Sequence, residues 1–222
     1  MDGRTTRPTT DDDKTIFYQK PSIWSALYHR AFLDENGIRF LETPGASYQD
    51  ASFNFKVWAL AERASYVAKE VLSYRQDNEA SSVNSPGKVY CVCDEYEEMG
   101  RFLDVRPALD EELRGVLTRM KFDSYMWNAG RLAPELRQEF LVRARQELLE
   151  DREKGYLDES LLGVYKQADL QVLLDDPERF SKAFDSYGGG SLARNLSHYL
   201  ELGGPGLVAS MVARRAKRRR SS

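Results

Sequence analysis

The chain has 222 residues, 41% of them hydrophobic and 30% charged, an ordinary composition for one large or two small globular domains. Its net charge of -3 hides an asymmetry: Arg214, Arg215, Lys217, Arg218, Arg219 and Arg220 lie together at the end, and without these six the remainder stands at -9. So acidic a body excludes general nucleic-acid binding, and the short, charge-interrupted apolar runs exclude a membrane-spanning helix. The first residues carry no apolar stretch of the kind a secretory signal needs. Cys91 and Cys93 are one residue apart, a spacing that suits neither a disulfide framework nor a metal site, so they read as reduced thiols of a cytoplasmic protein.

In chain order, residues 1–14 read as a flexible arm, rich in Thr, Asp and Arg. Pro21-Ser22 opens an amphipathic helix in which Ile23, Trp24, Leu27, Tyr28, Ala31 and Phe32 recur at helical spacing, and Asn36-Gly37 stops it. Residues 38–41 form a strand candidate. Thr43-Pro44-Gly45-Ala46-Ser47 is turn chemistry before a second helix over 50–63, with Phe53, Val57, Leu60 and Ala61 as its inner stripe. A strand pattern over 66–74 and a polar loop over 76–88 complete an α/β layout. From residue 89 onward the period is helical: 89–103, 108–128, 134–154, 170–185 and 192–202, with Pro134 at a first-turn position and Gly155 where a helix C-terminus wants glycine.

Most constellations that suggest chemistry fail on context. Gly45-Ala46-Ser47-Tyr48-Gln49 lacks the second glycine of a nucleophile elbow. His29 and His198 match no metal-ligand spacing and read as surface or capping residues. Asp11-Asp12-Asp13 reads as a solvated charge run, because a metal site needs its carboxylates fixed by a buried element. Gly188-Gly189-Gly190-Ser191 has no Lys-Ser or Lys-Thr after it and reads as a hinge with a Ser191 cap.

One stretch is different in kind. Tyr18-Gln19-Lys20-Pro21-Ser22-Ile23-Trp24-Ser25-Ala26-Leu27-Tyr28, Gly37-Ile38-Arg39-Phe40, Pro44-Gly45-Ala46-Ser47-Tyr48-Gln49-Asp50, Phe53 to Trp58, Tyr74-Arg75-Gln76-Asp77-Asn78 and Ser81-Ser82-Val83 follow in one order at one spacing. Together, over about residues 14–104, they resemble the C-terminal half of the catalytic domain of bacterial family 2 glycosyltransferases, inverting GT-A enzymes of cell-envelope polysaccharide biosynthesis. The resemblance implies an α/β, partial GT-A-like segment over 15–88, a mainly α-helical C-terminal region over 89–203 and a basic tail over 204–222. It also implies transfer of a sugar from a nucleotide-sugar donor to a glycan or lipid-linked acceptor, with Asp50 as general base.

Inverting transfer needs such a base, because a sugar hydroxyl is a poor nucleophile until a carboxylate takes its proton. Asp50 is equally well placed to cap its helix, and both roles can belong to one residue. Gln49, Tyr48, Trp24, Arg75, Ser81 and Ser82 follow as substrate-binding candidates: aromatic faces for a sugar ring, Arg75 for a diphosphate, the serines for hydroxyls or phosphate. Trp24 reads first as a core residue, Arg75 equally as an ion-pair partner of Asp77, and the serines equally as part of a mobile loop. In the family a Rossmann-like half with an Asp-x-Asp motif binds the donor and a divalent cation, Mn²⁺ or Mg²⁺. Residues 1–222 hold no counterpart and no ligands for that cation, so a separate donor-binding chain or a homo-oligomer is the expected partner, and an apolar sheet edge is expected to be exposed. The tail from Arg214 to Arg220 suits an anionic membrane surface at the inner face of the plasma membrane, and equally a solubilising tail. The competing reading is a non-catalytic remnant or a helical protein-interaction module.

Overall fold

The computed structural model describes residues 5–10, 14–20, 22–42, 48–67, 69–70, 72–73, 88–184 and 192–220, with backbone alone for Thr6, 192–196 and 214–220. The protein is mainly helical. Its helices are α1 (Arg30–Glu35), α2 (Gln49–Leu60), α3 (Cys91–Asp104), α4 (Pro107–Ala129), α5 (Pro134–Glu153), α6 (Val164–Asp175), α7 (Pro177–Ala183) and α8 (Leu192–Arg220). Among the described residues the strands are β1 (Thr5–Thr6) and β2 (Ala64–Ser65), a short antiparallel pair with Thr5 opposite Ser65. None of these helices is long and apolar enough to cross a membrane. Contacts divide the chain into residues 1–121 and 122–222, the division falling inside α4.

In the first unit α2 is the central element. Phe53 and Val57 pack with Ile38 on one side, and Ile23, Tyr28, Phe32, Leu33, Trp58 and Leu60 close around them. On another side Phe55 meets Phe17 edge-on at 5.6 Å between ring centroids and Phe102 at 6.2 Å. Residues 51–57 of α2 are therefore all buried or nearly so, which is why its apolar residues do not keep to the single stripe expected. α3 is sided instead, with Val92, Met99 and Leu103 inside and the Glu97–Arg101 ion pair outside.

The α/β layout expected over 15–88 is not seen among the described residues. Residues 38–41 carry no ladder; Ile38 N–H instead closes the end of α1 by donating to Leu33 O at 2.9 Å, with Gly37 left-handed at φ 61°. The helix expected from Ser22 onward is split into a 3₁₀ turn (Ile23–Ser25) and α1. Ser25 Oγ donates to Ser22 O at 2.7 Å and meets Ser22 Oγ at 2.9 Å, the local bonding by which serine competes with a helical ladder.

In the second unit Phe140, Leu141, Ala144 and Leu148 of α5 are fully buried, as are Leu170 and Leu173 of α6. The helix expected over 170–185 is broken at Asp176-Pro177: proline cannot continue α6, and the Asp176 carboxylate accepts the Arg179 N–H at 2.9 Å to open α7. α5 ends at left-handed Gly155, φ 73°, as its sequence indicated. In α8 the backbone leaves helical geometry at Gly204, φ 68°, just before Pro205.

Candidate functional site

The first turn of α2 is set up without an ordinary cap. Tyr48, immediately before the helix, lies in the left-handed region at φ 66° and contributes no side-chain cap. An aromatic residue pays for that conformation, by about 1–2 kcal/mol, so the surrounding fold must enforce it. The turn brings Gln49 and Asp50 to the N-terminal end of α2, with Ala51 N–H donating back to Tyr48 O at 2.8 Å.

The cap comes from another helix. Glu95 of α3, wholly buried, accepts the Ser52 N–H on its Oε2 at 3.0 Å. The capping role open to Asp50 on sequence grounds is thus met at Ser52 by a residue 43 positions away. Burial raises the pKa of the Asp50 carboxyl above the ordinary aspartate value, against the opposing pull of its own backbone N–H and of the Lys20 ammonium. Burial likewise raises Glu95, opposed by the hydrogen bonding from Ser52 and the charge of Lys56 and reinforced by the charge of Asp50. Tyr28 is raised by burial and by Asp50, which makes the phenol and the carboxyl electrostatic neighbours. Lys56 is held by Glu98 at 2.5 Å, and Glu98 by Arg101 at 3.0 Å.

Beside this turn is a pocket of about 120 Å³, with Tyr28 and Trp58 among its aromatic walls and Gln19, Lys20, Ser25 and Asn54 among its polar ones. Tyr28 OH donates to Asn54 Oδ1 at 3.2 Å, fixing the phenol and the amide together. Aromatic faces interleaved with neutral hydrogen-bonding groups and one cation form a surface suited to a polar ring with an apolar face. Asp50 is an electrostatic neighbour of the lining residues Tyr28 and Lys20, and a carboxyl with a raised pKa is equipped for proton transfer.

The sequence candidates separate on this geometry. Tyr48, Gln49 and Asp50 come together at the helix start. Trp24 does not join the core, as first read; it is 41% exposed on its 3₁₀ turn, and Trp58 is the tryptophan that lines the pocket. Arg75, Ser81, Ser82, the acids at 11–13, Ser47 and residues 188–191 lie outside the described residues. His29 is exposed before α1, whereas His198 is not the surface residue expected: it is 3% exposed, with its Nε2 3.9 Å from the buried Asp169. Cys91 and Cys93 are buried and form no disulfide, and burial raises Cys91, so its thiolate is disfavoured.

Two residues of the site were missed by sequence reasoning. Trp58 follows Asn54 by one helical turn, a spacing that puts both on one face. Glu95 sits in the apolar stripe of Val92, Met99 and Phe102, and an acid inside such a stripe is itself a signal. The divalent cation that the resemblance implies does not fit here. One of the two carboxyls at the helix start is engaged by an amide, and no group of three or more His, Cys, Asp or Glu that could hold a metal occurs among the described residues. No protein-family model matches the chain, and neither a curated protein nor a solved structure shows significant similarity to it.

Proposed function

We propose that this chain is the acceptor-side part of an inverting glycosyltransferase of the family 2 type, with Asp50 as the general base. The observation that carries the reading is a carboxyl with a raised pKa, not needed as the cap for Ser52, that is an electrostatic neighbour of Tyr28 and Lys20, both of which line the pocket. The order of motifs over residues 14–104 supplies the family.

The acceptor sugar lies against Trp58 and Tyr28, with Asn54 and Ser25 as hydrogen-bonding partners for its hydroxyls. Asp50 takes the proton of the reacting hydroxyl as the new bond to the anomeric carbon forms and the bond to the donor phosphate breaks. The nucleoside diphosphate leaves, the configuration inverts, and the proton passes from Asp50 to water. Tyr48, Gln49 and exposed Trp24 extend the acceptor surface, while Arg75, Ser81 and Ser82 serve the donor side. The donor nucleotide and its Mn²⁺ or Mg²⁺ belong to a donor-binding half on a separate chain or a second copy. The basic tail would keep the assembly at the cytoplasmic face of an anionic membrane, near lipid-linked acceptors.

Titration of the 222-residue chain with a panel of pyranosides and short glycans, followed by NMR at the Trp58 indole N–H, tests the acceptor half of this reading. Saturable shifts that vanish in Trp58→Ala are expected; no shift with any saccharide at millimolar concentration would sink it. Once the donor-binding half is supplied, Asp50→Asn should lower nucleoside diphosphate release by about 10²- to 10⁴-fold with the fold retained. Full turnover in that variant would remove Asp50 from the mechanism.

A further inference from the structure

The pocket beside the first turn of α2 is small. Its volume of about 120 Å³ is less than the roughly 150 Å³ of a cavity that takes a benzene ring, so a whole pyranose does not enter. A sugar ring seated on Trp58 and Tyr28 can send one substituent inward, and the lining decides which.

One face of α2 supplies most of that lining. Ala51, Asn54, Phe55 and Trp58 follow at helical spacing, and the space exists because the first of them is an alanine. The buried part of the wall is apolar, with Phe17, Ala51 and Phe55, except for Asn54, which is only 6% exposed. Its Oδ1 accepts the Tyr28 hydroxyl at 3.2 Å, which leaves the two Nδ2 hydrogens for a guest. Toward solvent stand Gln19, Lys20 and Ser25, all exposed. The Lys20 ammonium acts on Asp50, so the mouth holds a cation and an acid together.

Such a wall discriminates among the substituents a sugar carries. A hydroxyl satisfies Asn54 and leaves the apolar surface uncovered. The methyl of a 6-deoxy sugar covers that surface and leaves the Nδ2 hydrogens without an acceptor, which is costly in a buried place. A carboxylate or phosphate brings a charge to a wall whose cation already faces an acid. An acetamido group meets each demand. Its methyl rests on Phe17, Ala51 and Phe55, its carbonyl accepts from Asn54 Nδ2, and its N–H donates to the Ser25 hydroxyl or the Gln19 amide oxygen.

We propose that this pocket is a subsite for an acetamido group, and that the acceptor is an N-acetylated amino sugar. The proposal deepens the acceptor reading and rests on it.

The test is titration of the full chain, followed by NMR at the Trp58 indole N–H, with the methyl glycosides of N-acetylglucosamine, N-acetylgalactosamine, glucosamine, glucose and rhamnose. An N-acetyl sugar should bind about tenfold or more tighter than glucose, the factor that a buried methyl and one neutral hydrogen bond supply together. Ala51→Leu fills the space, and Asn54→Asp keeps the acceptor for Tyr28 while removing the Nδ2 donors; each should bring that ratio down toward one. Should either variant fail to fold, the ratio in the unaltered chain still decides. N-acetyl sugars bound no better than glucose overturn the subsite and leave the acceptor reading standing, as does a preference for rhamnose, which would mark a site for a bare methyl. A tenfold preference that survives both substitutions puts the acetamido group elsewhere and also overturns it. Binding of no saccharide at all removes the subsite and the acceptor reading together.

Discussion

Asp50 and Glu95 make the folded state hold protons more tightly than the unfolded chain does, because burial raises both above their ordinary values. Asp169 in the second unit is raised for the same first reason, opposed by His198 and Tyr199. For a raised carboxyl the sign is fixed: stability is highest when the group is protonated and declines as pH rises from about 4, the ordinary carboxylate value, through the folded midpoint. Glu98 runs the other way. Although burial pushes it up, hydrogen bonds from Lys56 and Arg101 leave its pKa lowered, so its contribution is present above the ordinary range and lost as pH falls through its folded midpoint. Urea denaturation midpoints measured from pH 4 to 7 should therefore show a downward component that is smaller in Asp50→Asn. An identical pH slope in the variant would mean that the Asp50 carboxyl is not held in a desolvated place. The place of Asp50 at a helix start was legible in the sequence from the turn residues before it; the contact of Glu95 was not, because it joins positions 43 apart.

Among the elements, those with chemical punctuation at both ends were readable. Pro134 and left-handed Gly155 bracket α5, whereas the Asp176 cap with Pro177, which divides α6 from α7, went unread in the helix expected over 170–185. The end of α4 is held differently, by a side chain from α5. Arg137, 7% exposed, donates through Nε to Ala129 O at 3.1 Å and through Nη2 to Leu132 O at 3.2 Å. Ala129 O is a C-terminal carbonyl of α4, which also accepts the Leu132 N–H at 3.3 Å, and Leu132 O belongs to the turn that follows; the guanidinium adds a favourable charge there. Arg137→Ala should cost about 1–3 kcal/mol, read from urea denaturation, since the carbonyls lose their donor in a buried place. Arg137→Lys should recover only part of this, because an ammonium lacks the planar fork that reaches two acceptors. Complete recovery by lysine would reduce the role of Arg137 to its charge. Where propensity and local bonding disagree, as at Ser22 and Ser25, the helical period of Ile23, Trp24 and Leu27 misleads: Leu27 ends up fully exposed.

The molecule as a whole is two helical units and a cationic end. The unit of residues 1–121 carries the candidate site, and the unit of 122–222 has a core of its own built on α5 and α6. The chain ends in the six basic residues of α8, at Arg214, Arg215, Lys217, Arg218, Arg219 and Arg220. At about 1 kcal/mol for each basic residue near an anionic surface, before screening, they would suffice for the reversible docking proposed above. The chain should co-sediment with phosphatidylglycerol vesicles and not with phosphatidylcholine vesicles, and replacement of the six by glutamine should abolish this. Binding that survives that replacement, or that ignores added salt, would assign the attraction to something other than the tail's charge.

The sequence by itself determined what depends on neighbours along the chain: the helical character after residue 89, the stop of α1 at Asn36-Gly37, the ends of α5, and the position of Asp50 at a helix start. Each follows from spacing, a glycine, a proline or a cap, which act within a few residues. Only the tertiary structure decided that residues 38–41 pair with no described strand, that His198 is buried against Asp169, that Trp58 rather than Trp24 faces the pocket, and that Glu95 caps the helix of Asp50. These turn on which surfaces meet in three dimensions. Burial and the loss of water set them, and neither quantity belongs to a residue until its distant neighbours are in place.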